Sequence, residues 1–251
     1  MRKTKPIRPT RKDQPTAVPV RKLADADFPT RFGQFRICGF SLANGSSSET
    51  AVVLVKGNPR AGRVPLVRIH SQCLTGDVFA SLRCDCREQL ELALQQVGAS
   101  DYGFIIYEPE EGRGIGLMNK LQAYQLQDQG VDTVEANRQL GFEADLRQYT
   151  LAAGILQHYG VKSVRLLSNN PKKIRALENF GIRIAERVPI EASPHQASAR
   201  YLKTKREKMG HLLSKAAPPR TQSRPSPAPA VNSPPRRERS KIDLQATSLD
   251  A

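Results

Sequence analysis

The chain has 251 residues, with 39 basic and 24 acidic side chains and a net charge of +15. It contains no run of about 20 apolar residues, so we expect no membrane-spanning helix. The basic N-terminal end lacks the apolar segment of a secretory signal, and we therefore predict a cytoplasmic protein.

Both ends of the chain have the composition of disordered segments. Residues 1–23 contain eight Lys/Arg, one acid and four prolines, and residues 215–251 contain seven Lys/Arg, three acids and seven prolines. Such segments bury too little apolar surface to offset the entropy lost on folding. We predict one folded domain, residues 24–214, between two disordered basic tails. The tails have the charge for weak contact with polyanions, although silent, solubilising extensions are the simpler interpretation.

The central residues predict an α/β fold. Apolar and alternating runs predict strands at Gly33–Phe40, Ala51–Lys56, Val64–Ile69, Tyr102–Tyr107, Val164–Leu167 and Ile182–Ile190. Periodic apolar positions and helix-end signals predict helices at Arg87–Val97, Leu117–Gln129, Leu146–Tyr159, Pro171–Phe180 and Tyr201–Leu213. The second half alternates strands with helices, which favours parallel βαβ units. The first half is richer in strands, so we predict a mixed sheet with flanking helices.

Three of the four cysteines, Cys73, Cys84 and Cys86, lie close together, and Cys38 lies far upstream. The three have charged neighbours, namely Arg83, Asp85, Arg87 and Glu88. Cysteines that pack as small apolar side chains normally have apolar neighbours instead. Three thiolates suit a catalytic zinc with a fourth position open to water. The alternative is three unrelated thiols, since short zinc motifs are usually Cys-x-x-Cys pairs. His70 is a further candidate ligand, although a hydrogen-bonding role is more common.

Two segments have the pattern of anion sites. The loop EGRGIG, residues 111–116, follows an apolar strand and opens a helix, where backbone N–H groups can approach a phosphate. Arg113 in this loop can bind a phosphate through two hydrogen bonds. The segment NNPKK, residues 169–173, places two lysines in a first helical turn, where cations oppose the helix dipole. A glycine-rich turn and two solvated lysines are the plain alternatives.

Five segments together resemble one enzyme family. They are RIHSQCLTGDVFASLRCDC, EGRGIGLMNKLQAYQLQDQG, VDTVEANRQLGFEADLRQYTLAAGIL, LLSNNPKKI and KTKREKMGHLL. In this order they resemble the motifs of GTP cyclohydrolase II, over about residues 30–213. The resemblance implies the first committed step of riboflavin synthesis. In that reaction water opens the imidazole ring of GTP at C8, and formate and diphosphate leave a diaminopyrimidine ribosyl phosphate.

The resemblance also implies roles for individual residues. One zinc per chain would be bound by Cys73, Cys84 and Cys86. The catalytic residues would be Asp145 as proton acceptor, Arg147 as nucleophile at the α-phosphate, and Tyr124 near the base. The residues expected to contact GTP are Arg68, Ile69, His70, Ser71, Gln72, Gln89, Glu111, Gly112, Arg113, Thr133, Ser168 and Lys173. Magnesium would accompany the triphosphate, and the protein would form a homodimer. From pattern alone, Asp145 would be an ordinary helix-capping acid and Arg147 a solvated arginine.

The chain departs from the family pattern at a few positions. Gln72 stands where glutamate is typical, and Pro109 and Glu110 replace a basic residue and glutamine. Arg87 replaces glycine, and Ser168 replaces threonine but keeps the hydroxyl. Glutamine is a poor base, so Gln72 predicts slower turnover of GTP than in a relative with glutamate, or preference for a modified substrate.

Two alternatives to this function stay open at the level of sequence. One is a divergent relative that acts on another purine nucleotide or stops at a formylated intermediate. The other is a zinc-containing nucleic-acid-binding protein that uses its basic tails. Two observations argue against the nucleic-acid-binding protein. Three cysteines do not complete a structural zinc site, and aromatic and basic residues are not interleaved in the central region.

Overall fold

One seven-stranded mixed sheet organises the part of the chain that our computed structural model describes. The described residues are 17–43, 50–58, 63–143, 145–192, 198, 204–207 and 210–212. They belong to a single unit, Met1–Arg220. The predicted C-terminal tail, residues 215–251, and residues 1–16 of the predicted N-terminal tail lie outside the described residues.

The sheet combines an antiparallel half with a parallel half. Its strands are β1 (Val20–Thr30), β2 (Gly33–Leu42), β3 (Thr50–Lys56), β4 (Leu66–Ser71), β5 (Gly103–Glu108), β6 (Ser163–Leu167) and β7 (Arg183–Val188). They lie in the order β1-β2-β3-β5-β4-β6-β7. From β1 to β5 neighbours are antiparallel, and from β5 to β7 they are parallel. The predicted α/β fold with a mixed sheet is therefore confirmed.

Helices cover both faces of this sheet. They are α1 (Leu74–Asp77), α2 (Cys86–Ala99), α3 (Leu117–Asp128), α4 (Thr133–Gln139), α5 (Thr150–His158) and α6 (Pro171–Asn179), with a 3-10 turn (Glu111–Gly114) before α3. Ala93 and Val97 of α2 pack with Ile105 of β5 on one face. Ile155 of α5 and Leu177 of α6 belong to the larger core on the other face. No helix within the described part of the chain is long and apolar enough to cross a membrane.

Helix starts were partly predictable. Asn170 caps α6 as expected, because its side-chain oxygen accepts a hydrogen bond from the Lys172 N–H at 2.9 Å and Pro171 follows it. The helix predicted from Leu146 instead begins at Thr150. The Leu146 N–H donates to the carbonyl of Arg113 at 3.1 Å, so this segment is bound to the 3-10 turn ahead of the helix. Of the helix predicted at Tyr201–Leu213, residues 204–207 are helical, residues 210–212 are not, and the rest lies outside the described residues.

β1 begins at Val20, inside the stretch 1–23 that the sequence assigns to the N-terminal tail. This strand was missed because most of its residues are exposed and charged side chains interrupt its apolar pattern. Pairing with β2 along its length stabilises it instead. Gly154 of α5 receives the start of the strand: a Cβ atom there would lie 2.7 Å from Val20 Cγ1 and 2.8 Å from Val18 Cγ1.

Removing residues 1–23 is therefore expected to destabilise the protein, whereas removing residues 1–16 is not. The longer deletion takes away two half-buried valines, the hydrogen bond from the Val18 N–H to Gln157 Oε1 at 2.9 Å, and the first rungs of β1. We expect a loss of about 2 kcal/mol in the free energy of unfolding. Urea titrations of the two shortened chains measure it, and equal midpoints would contradict the role of these residues.

Candidate active site

Three parallel strands end at one edge of the sheet and bring the predicted site segments together. β4 ends at Ser71, β5 at Glu108 and β6 at Leu167. Cys73 follows β4, the glycine-rich loop follows β5, and the Asn-Asn-Pro-Lys-Lys segment follows β6. Ligands of α/β proteins bind outside the carboxyl ends of such strands. The sheet topology thus assembles segments that are up to about a hundred residues apart in sequence.

Cys73, Cys84 and Cys86 form a cluster with the geometry of a metal site. Their sulfur atoms all lie within 4.8 Å of one another, and those of Cys73 and Cys84 are 3.6 Å apart. A tetrahedral zinc with bonds of about 2.3 Å separates its sulfur ligands by about 3.8 Å. Cys73 precedes α1 and Cys86 begins α2, so two helix starts position the sulfurs. The three thiols fit a zinc ion that keeps a fourth position for another ligand.

Gly76 has no side chain, and the sulfur atoms of the cluster lie close to the position that a side chain would take. A Cβ atom at this position would lie 3.0 Å from the Cys84 sulfur and 3.2 Å from the Cys73 sulfur. These separations are shorter than side-chain carbon atoms normally make, so any larger residue would push against both sulfurs. Glycine at position 76 therefore lets α1 approach the cluster closely.

The closeness of the three thiols shifts their pKa values in opposite directions. Hydrogen bonding with Cys84 and Cys86 lowers the pKa of Cys73. The same contacts with Cys73 raise the pKa of Cys84 to about 12 and that of Cys86 well above its usual value. The cluster by itself thus favours a single thiolate, since adjacent thiolates repel one another. A divalent cation removes this repulsion, and metal binding accordingly releases protons from the thiols.

A buried ion pair between Lys120 and Glu111 lies against the cluster. The Lys120 ammonium donates to the Cys73 sulfur at 3.2 Å and to Glu111 Oε1 at 2.6 Å. The other carboxylate oxygen of Glu111 accepts from the Leu74 N–H at 2.6 Å. Burial opposes the charge of Lys120, but Cys73 and Glu111 outweigh burial and raise its pKa. The pair ties α3 to α1 and holds a cation beside the sulfurs.

Asp77 supports the cluster from within α1. Its Oδ2 accepts from the Cys73 N–H at 3.0 Å and from the Tyr107 hydroxyl at 2.9 Å. The Nε2 atom of His70 lies 3.1 Å from both carboxylate oxygens of Asp77. His70 is thus a hydrogen-bonding histidine and is not among the residues of the thiol cluster.

A cleft with a cavity volume of about 100 Å³ opens beside the thiols; we call it the thiol cleft. The Tyr124 hydroxyl lies 3.1 Å from Thr75 Oγ1, and the Arg83 guanidinium lies 4.7 Å from the centre of the Tyr124 ring. Thr133 and Asn137 of α4 also line the cleft. An aromatic ring with nearby amide and hydroxyl groups suits a flat, polar ligand such as a nucleobase.

A second pocket, with a cavity volume of about 80 Å³, adjoins the first; we call it the cation pocket. Ser71, Cys86, Arg113 and Arg147 line both. Among the described residues, its lining contains no carboxylate and has five lysines and arginines: Arg68, Arg113, Arg147, Lys173 and Lys205. Concentrated positive charge in a concave site attracts polyanions. The two pockets together offer one elongated site with a thiol end and a cationic end.

The 3-10 turn places Arg113 where the two pockets meet. Gly112 and Arg113 adopt φ values of 62° and 67°. A residue other than glycine in this left-handed region costs about 1–3 kcal/mol. The contact between the Arg113 carbonyl and the Leu146 N–H, described above, holds this conformation. The turn is thus fixed by tertiary contacts rather than by glycine alone.

Asp145 and Arg147 form a bidentate ion pair beside both pockets. Nε and NH2 of Arg147 donate to the two carboxylate oxygens of Asp145 at 2.8 and 2.9 Å. NH1 of Arg147 lies 3.4 Å from Ser71 Oγ. Burial acts to raise the pKa of Asp145, but the hydrogen bonds and charge of Arg147 lower it overall. The carboxylate is therefore ionised and orients the guanidinium.

Lys173 is buried at the start of α6 and faces other cations. Its ammonium donates to the carbonyl oxygen of Ile69 at 2.7 Å. Burial, together with the charges of Arg68 and Arg147, lowers its pKa well below the usual value for lysine. A polyanion bound here would relieve the repulsion among the three. The buried position excludes the interpretation of Lys173 as a solvated lysine.

A family comparison agrees with this geometry. The sequence model of the family described as GTP cyclohydrolase II matches residues 21–189, a stretch that includes every predicted site residue. This chain belongs to the GTP cyclohydrolase II family.

Relatives of the chain carry names from riboflavin synthesis. The riboflavin biosynthesis protein RibBA of Endomicrobium trichonymphae is 50% identical over 196 residues, which are 78% of this chain and 48% of that protein. The GTP cyclohydrolase-2 of Shewanella baltica strain OS155 is 48% identical over 195 residues, 78% of this chain and 95% of that protein. The chain thus spans about half the length of the RibBA relatives.

A solved structure is also similar. It is RibBX, a two-domain 3,4-dihydroxy-2-butanone 4-phosphate synthase from A. baumannii, with a TM-score of 0.40 and 20% identity over 69% of this chain and 41% of that chain. A likeness this distant adds nothing to the family assignment.

In this member of the GTP cyclohydrolase II family, nearly all predicted site residues line the two pockets. Those on the thiol cleft are Ser71, Gln72, Cys73, Cys84, Cys86, Glu111, Gly112, Arg113, Tyr124, Thr133 and Arg147. Those on the cation pocket also include Arg68, His70, Gln89, Ser168 and Lys173. The Ile69 side chain is instead in the core, where only its carbonyl contacts a site residue. Asp145 lies behind Arg147 and lines neither pocket.

Several residues of the site were missed by sequence reasoning. They are Asp77, Lys120, Asn137, Lys205 and His211. For Lys205 and His211 the sequence did contain a signal, because both lie in KTKREKMGHLL, the last of the five segments that resemble the family. A lysine or an asparagine inside a helical segment gives no such signal, since helices commonly expose both residue types.

Glu110 lies in the thiol cleft, not in the cation pocket near the expected phosphates. Its Oε1 accepts from the Gln148 N–H at 2.8 Å. Burial raises the pKa of Glu110. Burial and the neighbouring Glu110 raise the pKa of Glu108 to about 8. Burial therefore perturbs both carboxyl groups, and Glu110 lies on the thiol side of the site.

Proposed function

We propose that this chain is a zinc-dependent GTP cyclohydrolase II. One observation carries the proposal: a three-thiol cluster and a pocket lined by five cations share a wall that contains Arg113 and Arg147. GTP has the matching asymmetry, with a purine at one end and a triphosphate at the other. The names of the relatives and the family membership support the same substrate.

The purine would occupy the thiol cleft. A zinc ion held by Cys73, Cys84 and Cys86 would supply Lewis-acid activation of water for attack at C8. Tyr124, whose hydroxyl is oriented by Thr75, would contact the base. The other family-implied contacts in the cleft, including Gln72 and Thr133, would fix the ring so that C8 faces the sulfur ligands.

The triphosphate would occupy the cation pocket, with magnesium on its oxygens. Arg68, Arg113 and Lys173 would neutralise it, and oriented cations of this kind stabilise the charge that develops on a departing diphosphate. Arg147 would reach the α-phosphate from the wall shared by both pockets. A guanidinium becomes a nucleophile only when a base takes its proton, and Asp145, paired with it through two hydrogen bonds, is the acceptor at hand. The P–N bond formed as diphosphate leaves would then be cleaved by water, which releases the phosphate of the product and returns Arg147.

A product assay tests the proposal. The full chain, loaded with zinc, is incubated with GTP and magnesium, and formate, diphosphate and the pyrimidine product are measured. We expect all three in equal amounts. Formate without diphosphate, or a formylated pyrimidine, would instead support the divergent relative. No conversion by a zinc-loaded chain would contradict the proposal.

Three further features of the protein remain predictions. The resemblance implies the homodimer, whereas the composition of the chain predicts the cytoplasmic location and the extent of the catalytic domain. We propose that this domain begins with β1 rather than at residue 24, since the start of β1 packs on α5.

Glutamate and glutamine are interchanged at positions 72 and 110 relative to the family pattern, and this difference provides a test of substrate positioning. This chain has Gln72 and Glu110 where the family typically has glutamate and glutamine, and both line the thiol cleft. The cleft already contains Glu111, so Gln72→Glu alone adds a further acid. We expect this single change to lower kcat about a hundredfold, at the lower end of acid–base effects.

The double variant Gln72→Glu/Glu110→Gln restores the typical charge count, and we expect it to recover most of the kcat. Steady-state kinetics with GTP at constant zinc content measure both variants. A kcat that rises in the single variant would show instead that glutamate acts as a base at position 72. This outcome is the one that the sequence alone predicted.

A further inference from the structure

The chain beyond β7 returns to the cation pocket. Thr204 and Lys205 are buried there in the helical residues 204–207. The Leu212 N–H donates to the carbonyl of Asn169 at 2.9 Å, and the His211 N–H donates to that of Lys205 at 3.1 Å. Residues 204–207 and 210–212, which we call the C-terminal strap, therefore dock on the loop that follows β6.

Lys205 connects this strap to the turn that carries two of the cysteines. Its ammonium donates to Asp85 Oδ1 at 2.7 Å, and the side chains of Lys205 and Asp85 are only 10% and 7% exposed. Asp85 stands between Cys84 and Cys86 and does not cap α2 with its side chain. Loss of one member of a buried ion pair is strongly unfavourable, because the other charge stays buried alone.

The ion pair continues as a chain of hydrogen bonds, which are partly or fully buried, into the cation pocket. The second carboxylate oxygen of Asp85 accepts from the Gln89 amide. The Gln89 carbonyl oxygen accepts from NH2 of Arg68 at 2.6 Å, and NH1 of Arg68 donates to the Leu167 carbonyl at 3.0 Å. One continuous set of contacts therefore links Lys205 both to the cysteine turn and to two residues proposed to bind GTP.

We propose that Lys205 is a positioning residue, which acts through Asp85 to fix the cysteine turn relative to Gln89 and Arg68. The proposal rests on the proposed function for its kinetic part, and on the thiol cluster alone for its metal part. The strap also contributes directly to the cation pocket, because Lys205 and His211 line it. The site is then assembled only when the strap is docked.

Variants of the full chain separate positioning from a simple effect of charge. Lys205→Met should raise KM for GTP more than it lowers kcat, and should weaken zinc binding about tenfold, as is typical for residues behind metal ligands. Asp85→Asn should have the same effects. If Lys205 acts through Asp85, the double variant is no worse than the worse single variant. Lys205→Arg, which keeps the charge, should recover part of both losses.

Arg206→Met is the matched control. Arg206 adjoins Lys205 but is exposed, and its change should alter neither quantity. Zinc affinity is measured by competition with a chromophoric chelator, and kcat and KM by product formation. Additive losses in the double variant, or wild-type values in Lys205→Met, would overturn the proposal. If the unchanged chain does not convert GTP, the proposed function fails, and the zinc measurements still decide the link between Lys205 and Asp85.

Discussion

Replacement of Cys84 by serine is expected to remove zinc from the protein and to abolish GTP hydrolysis. The Cys84 sulfur lies 3.6 Å from that of Cys73, a separation that a tetrahedral zinc would produce. A serine hydroxyl is a harder and far less acidic ligand than a thiol, and two remaining thiolates bind zinc weakly. We expect the zinc content to fall from about one per chain to nearly none.

Cys38→Ser is the control for this prediction. Cys38 is buried in the core beside Tyr159, whose hydroxyl donates to its sulfur at 3.5 Å, and it is not part of the thiol cluster. This variant should keep its zinc and its activity. Elemental analysis and the formate assay, carried out on both variants, provide the measurement. A Cys84→Ser protein that retains a full complement of zinc would refute the site.

Lys173→Ala is expected to reduce kcat/KM for GTP about a hundredfold or more, the range for loss of one charged donor in a preorganised site. The buried ammonium of Lys173 shares the cation pocket with Arg68 and Arg147. Its removal takes away a charge that the triphosphate would pair with. The fold should survive, because the repulsion among these cations also disappears.

The neighbouring Lys172 provides the matched control, since it is exposed on the same first turn of α6. Lys172→Ala should change kcat/KM by less than about twofold, as exposed charges contribute little. Equal effects of the two substitutions would contradict a specific role for Lys173.

The pH dependence of GTP binding gives a second measurement on the same lysine. Burial and nearby cations lower the pKa of Lys173, so the free protein loses this charge at a lower pH than an ordinary lysine would. Affinity for GTP should consequently fall as the pH rises through that lowered value. Lys173→Ala should lack this step, whereas Lys172→Ala should retain it.

The sequence by itself determined the parts of this protein that depend on local chemistry. The spacing of Cys73, Cys84 and Cys86 in charged surroundings predicted their grouping, and the sulfurs do lie together. The Asn170-Pro171 pair predicted the start of α6, because capping depends on residues within one turn. Apolar runs predicted the parallel strands, since strands that are buried on both faces need a continuous apolar sequence.

Only the tertiary structure decided which distant residues meet around the thiols. Lys120 reaches Cys73 from a helix that begins more than forty residues later, and Lys205 reaches Asp85 across 120 positions. A buried lysine and an exposed lysine look alike in a sequence; burial and partner alone distinguish them. β1 was likewise invisible, because an exposed strand has no apolar pattern and is stabilised by backbone pairing to its neighbour.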